Sequence, residues 1–329
     1  MIRLSVLDLV PVREGKNVGD ALAEAGALAK VAEDAGYKRF WVAEHHATEG
    51  VAGGASSVVI AHIGHCTSTI RIGAGGIMLP NHNPFVIAEQ FGTLDGLFPG
   101  RVDLGLGRAP GAAPILGQAL RKDLGRAAEY FPQDVVELRA LLTGDVDLPI
   151  TATPGLGAQV EIWMLGSSLF GAQLAARLGM AYAFASHFAP DHLDAALATY
   201  RSQFRPSAYL EQPHVMAAMT VICSESDADA VLLASSQDQA FVRLRSGDPG
   251  KLPPPIAGYR EGLDASTRAM LERMDVARAV GSPQTVGEKI ARFIERTGAD
   301  ELIVSGATFD PLARQQSLRL TMEAIERRN

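Results

Sequence analysis

The chain has 329 residues, of which 47% are hydrophobic and 20% are charged, and its formal net charge is −7. This composition is that of a folded globular protein, and it excludes a disordered, collagenous or coiled-coil chain. The acidic balance and the lack of any basic run argue against nucleic acid as a partner.

Short apolar runs alternate along the chain with longer segments of helical period. The runs that we predict as strands are Ile2–Leu9, Arg39–Ala43, Ile70–Ile77, Arg101–Leu106, Glu161–Leu165, Met180–Ala185, Val215–Cys223 and Glu301–Val304. The segments that we predict as helices are Asn17–Ala35, Ser56–Cys66, Pro84–Leu97, Ala127–Leu142, Leu169–Leu178, Asp191–Phe204, Asp227–Leu244, Gln284–Thr297 and Asp310–Arg327. Eight strands in regular alternation with helices predict one α/β domain over residues 1–329, a (β/α)8 TIM barrel. An open doubly wound sheet is the alternative, but the turn Val10–Gly15 after the first strand lacks the Gly-x-Gly-x-x-Gly fingerprint.

A long insertion follows the seventh strand and its helix. It contains Ser246–Pro255, in which three consecutive prolines exclude both helix and an inner strand. Long irregular segments in compact domains are often lids over functional sites. We predict that Ser246–Tyr259 covers the barrel mouth, with Gly247, Gly250 and Gly258 as hinges; a passive surface loop is the alternative.

The setting and the assembly of the chain follow from simpler signals. No apolar stretch approaches the ~20 residues that span a bilayer, and Met1–Val6 lacks the form of a signal peptide. Two cysteines cannot form a disulfide framework, so we expect a reducing, cytoplasmic setting and no membrane partner. The helices Ser56–Cys66 and Pro84–Leu97 are apolar on more than one face, which predicts a homodimer interface between them.

The carboxyl ends of the strands are where a barrel places its active site. Gly166, Ser167 and Ser168 lie between the fifth strand and the next helix, where free backbone N–H groups favour an anion. Arg108, at the end of the fourth strand, is a candidate second ligand for a phosphate. The alternative is a serine N-cap beside an arginine that pairs with a carboxylate.

Two adjacent histidines, His45 and His46, follow the second strand. A histidine at a strand end suits a general base or a hydrogen-bond donor to a ligand, although a structural histidine is the alternative for either residue. Only one of the two can face the mouth if the strand continues. No metal-ligand spacing accompanies them, so we predict no metal site.

Four segments at these strand ends, taken together and in this order, resemble the bacterial-luciferase-like flavin-dependent monooxygenases. They are Arg39–His46, Ile72–Pro80, Gly100–Gly111 and Trp163–Ser168. The resemblance is strongest over residues 1–111, good over about 155–225 and poor across 112–150 and 236–280. Within the family, the chain looks most similar to bacterial members whose substrates are unassigned.

The resemblance implies a (β/α)8 barrel that binds reduced FMN supplied by a separate flavin reductase. In the family, O2 adds to the reduced flavin to give a peroxyflavin, which then oxidises a small organic substrate. The assisting histidine of the family falls on His45, and its phosphate ligands fall on Arg108, Ser167 and Ser168. Its non-prolyl cis peptide falls on Gly75–Gly76.

Two further functions are compatible with the same resemblance. Some relatives use a deazaflavin in place of FMN and act as dehydrogenases, and others bind flavin without catalysis. The polar residues at the strand ends favour an enzyme over a binding protein. Neither composition nor spacing identifies the flavin, because only the resemblance points to it.

Overall fold

Eight parallel strands form a closed barrel in the computed structural model, which describes residues 2–108 and 114–327. Around the barrel the strands follow the order β1 to β7 and then β9, which pairs again with β1. The strands are β1 Arg3–Asp8, β2 Arg39–Val42, β3 Arg71–Met78, β4 Val102–Gly107, β5 Glu161–Gly166, β6 Ala181–Phe184, β7 Val215–Cys223, β8 Arg278–Gly281 and β9 Glu301–Ser305. The predicted barrel and its eight strands are confirmed.

Helices connect the strands and cover the outside of the barrel. They are α1 Val18–Asp34, α2 Ser56–Cys66, α3 Pro84–Leu97, α4 Pro114–Leu120, α5 Leu124–Thr143, α6 Leu169–Leu178, α7 Leu193–Gln203, α8 Asp227–Arg245, α9 Ala265–Met274, α10 Pro283–Thr297 and α11 Pro311–Glu326. Local signals define their ends. Asn17 and Asp20 form a capping box at the start of α1, and Gly179 adopts the left-handed conformation that ends α6.

The inside of the barrel is apolar in the middle and charged at its amino-terminal end. In the apolar middle, Trp41 and Trp163 meet edge to face, with their ring centroids 5.6 Å apart. At the amino-terminal end the buried Arg39 guanidinium lies 2.9 Å from a carboxylate oxygen of each of Asp103, Glu161 and Glu301. This ion network closes the barrel at that end, so a ligand enters from the opposite end.

The predicted insertion lies between α8 and α10, and helix α8, which precedes it, crosses the carboxyl ends of the barrel strands. Gln237 of α8 accepts a hydrogen bond from the backbone N–H of Ala307, which follows β9. Arg243 pairs with Glu14, which follows β1. Helix α8 therefore roofs part of the mouth, and the short strand β8 pairs only with β7 within the described sheet.

The segment predicted as a lid lies against the loops that follow β1 and β2. Leu252 is buried, and its backbone N–H donates to the carbonyl of Val12. A Cβ atom on Gly50 would lie 2.1 Å from the carbonyl oxygen of Gly250. Of the three predicted hinge glycines, Gly247 and Gly258 have positive φ, whereas Gly250 does not and is held by this close contact. The segment is therefore fixed over the β1–β2 side of the mouth.

Candidate active site at the barrel mouth

A buried carboxylate, Glu44, organises the polar residues that follow β2 and β3. One of its oxygens lies 2.6 Å from Nε2 of His46 and 2.8 Å from Nε2 of His82. Its other oxygen accepts a hydrogen bond from the backbone N–H of Met78. Burial alone would raise the pKa of Glu44, but these hydrogen bonds and the charge of His82 outweigh it and lower the pKa. Glu44 is therefore an ionised acceptor that fixes two imidazole rings.

The alternation of β2 directs His45 toward the mouth, whereas its neighbour His46 bonds to Glu44. The alternation along β2 places Arg39 and Trp41 inside the barrel, and His45 continues that series. Its Nδ1 is buried and has no hydrogen-bond partner among the described residues. Burial lowers the pKa of His45, so its ring is neutral at pH 7.

A second imidazole, His187, lies near His45. It follows β6, and its Nδ1 is also buried without a partner in the described part of the chain. Burial, and then the charge of His45, lowers the pKa of His187 to about 4. Buried polar atoms are usually hydrogen-bonded, so two unpartnered ring nitrogens at one mouth indicate a place for a ligand.

Glycines leave the backbone bare between these histidines and the fourth strand. The peptide bond between Gly75 and Gly76 is cis, as the resemblance implied. A Cβ on Gly75 would lie 2.7 Å from Leu7, and one on Gly76 would lie 2.6 Å from the carbonyl oxygen of Gly105. At Gly107, by contrast, the nearest atom would be 3.7 Å away. The backbone is therefore closely packed at Gly75 and Gly76 and open at Gly107. The open part suits a flat ligand that lies against the backbone.

Arg108 lies beside the first turn of α6. It is exposed, and its Cζ stacks 4.1 Å from the ring centroid of Phe170. No carboxylate pairs with Arg108 within residues 2–108 and 114–327. These residues therefore do not show the structural ion pair that was the alternative for Arg108. Ser168 is the N-cap residue of α6, but its side chain accepts no bond from the first turn. With Gly166 and Ser167 just before it, the start of α6 presents N–H groups and a cation to an anion.

The acid and two of the histidines also have the spacing of a metal site. One ligand atom from each of Glu44, His46 and His82 lies within 4.8 Å of the others. Two ligands of a tetrahedral zinc ion would lie about 3.4 Å apart, given bonds of about 2.1 Å. The separations of 2.6 and 2.8 Å from the carboxylate are those of hydrogen bonds instead.

Comparison with known proteins identifies the family. The model of the luciferase-like monooxygenases matches residues 2–301. A curated luciferase-like monooxygenase of Escherichia coli (strain K12) is 45% identical over 99% of this chain and 97% of its own length. The chain belongs to the luciferase-like monooxygenases.

Two solved structures are similar to the chain over its whole length. The crystal structure of apo-MsnO8 has a TM-score of 0.88 and 34% identity, covering 99% of each chain. The FMN complex of the oxygenating constituent of 3,6-diketocamphane monooxygenase has a TM-score of 0.72 at 19% identity, covering 98% of this chain and 97% of its own. That second likeness supports the fold.

Sequence reasoning named part of this site and missed part of it. The structure brings together His45, Gly75, Gly76 and Arg108 at the mouth, and it assigns His46 to the Glu44 network instead. Glu44 and His187 were not predicted as site residues, although Glu44 lies within the segment Arg39–His46. Within the segment Gly100–Gly111, residues 109–111 lie outside the described residues.

Among the described helices, none is long and apolar enough to cross a membrane.

Proposed function

We propose that the protein is a flavin-dependent monooxygenase that uses reduced FMN and O2 to oxidise a small organic substrate. The observation that carries this proposal is the pairing of two features at one mouth. One is a pair of neutral imidazoles whose buried Nδ1 atoms have no partner, and the other is an arginine beside a helix start that pairs with no carboxylate in the described part of the chain. A ligand with a flat polar ring system and a phosphate would satisfy both.

The residues present fit FMN. Arg108, Ser167, Ser168 and the first N–H groups of α6 would hold its phosphate. The open space at Gly107, beside the closely packed backbone at Gly75–Gly76, would accept its ring system. When bound, reduced FMN supplies the electrons that activate O2 for transfer of one oxygen atom to the substrate.

His45 has the properties of a proton-handling residue at this site. Its ring is neutral at neutral pH, so Nδ1 can accept a proton or a hydrogen bond from a ligand. His187 supplies a second neutral ring nitrogen nearby. Glu44 holds His46 and His82 in place and thereby supports the backbone next to His45. Helix α8 and the segment over the β1–β2 side limit the entry of water.

The oxygenation is tested by turnover in 18O2. Purified protein, FMN, a flavin reductase and NADPH are supplied with a panel of aldehydes, ketones, amines and thioethers. We expect a product that is heavier by one 18O atom, and we expect its formation to fall at least 100-fold in His45→Ala. A His46→Ala variant is the matched comparison, because its ring is bonded to Glu44. An 18O-containing product formed equally by wild type and His45→Ala would contradict the role of His45.

A deazaflavin-dependent dehydrogenase is the second candidate. An F420-dependent secondary alcohol dehydrogenase shares the fold, with a TM-score of 0.69 at 14% identity. The relative at 45% identity is named a luciferase-like monooxygenase, which favours the monooxygenase. Titration of the protein with FMN and with a deazaflavin, followed by quenching of cofactor fluorescence, separates the two functions. Tighter binding of the deazaflavin would overturn the FMN assignment.

We also propose that the protein acts as a homodimer and receives reduced FMN transiently from a reductase. On the outer faces of α2 and α3, Val58 is 69% exposed and Val86 is 44% exposed. Such side chains on adjacent helices suit an interface between two copies. Sedimentation at micromolar concentration should give a two-chain species, and Val58→Asp should shift it toward one chain. A single-chain species for the wild type would contradict the dimer.

A further inference from the structure

A second cavity lies on the flank of the barrel, separate from the mouth. It has a volume of about 710 Å3 and is bounded by α8, residues 256–261, residues 275–280 and α10. Volumes of this order are typical of sites for small molecules. Met219 of β7 lies at its base. Along β7, Met216 and Ala218 face the inside of the barrel, so Met219 faces outward and the barrel wall separates the two sites.

The walls of this flank cavity are apolar and unusually exposed. Val231 and Leu232 of α8 are 57% and 38% exposed, and Ile256 and Val276 opposite them in the lining are 48% and 44% exposed. Phe293 of α10 completes the apolar lining. Large apolar side chains that converge on one concave surface indicate a surface that a ligand covers.

The cavity also offers two cations without acidic partners. Lys289 and Arg292 lie one turn apart on α10, and no carboxylate lies within ion-pair distance of either in the described ranges 2–108 and 114–327. The ammonium of Lys289 is held by the carbonyl of Val280 at 3.0 Å. Burial lowers the pKa of Lys289. A carboxylate placed beside the ammonium would stabilise its charged form.

Three of the four acids in the lining already have hydrogen-bond or ion-pair partners. Asp238 accepts hydrogen bonds from Arg260 at 2.8 Å and from Arg278 at 2.6 Å. Asp275 also pairs with Arg260. Asp229 accepts from Ser226 within the N-terminal cap of α8. The fourth acid of the lining, Glu261, forms no ion pair among the described residues, and the cations that likewise form none lie on α10.

We propose that the flank cavity binds an amphipathic monocarboxylate, with its aliphatic body against Val231, Leu232, Ile256 and Val276 and its carboxylate on Lys289 and Arg292. The apolar walls account for the body, and the unpaired cations account for the single negative charge. One wall of the cavity, Ile256, belongs to the segment that covers the barrel mouth. A bound ligand would therefore contact the cover from outside.

Isothermal titration with sodium octanoate and with 1-octanol tests this site. The wild type should bind octanoate saturably, with one site per chain. The double variant Lys289→Gln/Arg292→Gln should bind octanoate at least 10-fold more weakly and should bind 1-octanol within 2-fold of wild type. Ala228→Trp, on the exposed surface of α8 that lines the cavity, should abolish both. Arg319→Gln, an exposed arginine on α11, is the matched control and should change neither.

The outcomes separate this site from the mouth. Octanoate affinity that is lost in Arg108→Gln but kept in the α10 double variant would place the ligand at the mouth and overturn the proposal. Absence of saturable octanoate binding up to 5 mM would also overturn it. Because the readout is binding of octanoate and not turnover, either result leaves the proposed oxygenation to its own test.

Discussion

Replacement of Arg108 by glutamine tests the phosphate half of the proposed FMN site. The substitution keeps a side chain that can pack on Phe170 but removes the charge. If the phosphate lies on Arg108 and the start of α6, the variant loses one charge-assisted hydrogen-bonding partner. Binding of FMN should weaken, and binding of riboflavin, which lacks the phosphate, should not.

The size of the effect follows from the exposure of Arg108. A hydrogen bond to a charged group contributes about 1.5–3 kcal/mol. Arg108 is exposed, so solvent and salt screen its charge and the lower part of that range applies. We expect a loss of about 2 kcal/mol, which corresponds to a roughly 30-fold weaker FMN affinity. The loss should shrink as the salt concentration rises.

The assay is quenching of flavin fluorescence during titration of FMN and riboflavin into wild type and Arg108→Gln. Arg126→Gln is the matched control, because Arg126 also stacks on an aromatic ring, that of Tyr130, at 5.9 Å. The control should bind both flavins like the wild type. An Arg108→Gln protein that still prefers FMN to riboflavin as strongly as the wild type would refute the reasoning.

Three further predictions concern stability and coupling. Arg39→Met takes one cation from the buried carboxylates of Asp103 and Glu301, although Arg71 still pairs with Asp103, and it should lower the free energy of unfolding by about 3–5 kcal/mol in urea titrations followed by tryptophan fluorescence. The deficit should be largest near pH 8 and shrink toward pH 5 as the carboxylates that have lost Arg39 take up protons. The wild type should lose stability as the pH falls from about 6.5 to 4, because the ring of His187 binds a proton near pH 6.5 in the unfolded chain but only at about 4 in the folded chain. In His187→Gln this loss of stability should be smaller. Gly50→Val should displace the covering segment through its contact with Gly250, and it should raise the share of NADPH electrons recovered as hydrogen peroxide while FMN stays bound.

Each of these predictions has a result that would contradict it. Arg327→Met, which removes an exposed ion pair, is the control for Arg39 and should cost under about 0.5 kcal/mol. An equally small cost for Arg39→Met would show that the barrel network is not needed. Parallel pH profiles for wild type and His187→Gln would show that this ring does not titrate as argued. Unchanged peroxide yield in Gly50→Val would show that the segment does not protect the reaction.

The barrel was predictable from the sequence because its strands are buried on both faces. Such strands are continuous apolar runs, and β7 is buried along all of its nine residues. Strand β8 was missed because it has only four residues, beside β7 and outside the closed barrel, and these are too few to form a continuous apolar run. Helix α9 was missed because its residues are mostly polar and only Leu271 is buried.

The residues of the candidate site were predictable only where a single strand end contains the whole pattern. Arg108 and the residues before α6 each lie at one strand end, and short-range spacing suggested both. Glu44 escaped notice because its role depends on His82, which reaches it from the turn after β3. His187 follows β6, and only the closed barrel brings it toward His45. Such pairings depend on tertiary contacts that no local pattern records.

A crystal structure of the protein with FMN is the most direct test of the central claim that the barrel mouth is a flavin site. The account predicts the phosphate on Arg108, Ser167 and Ser168, and hydrogen bonds from the flavin to Nδ1 of His45 or His187. FMN bound with its phosphate elsewhere, or in the flank cavity with the mouth empty, would contradict the account.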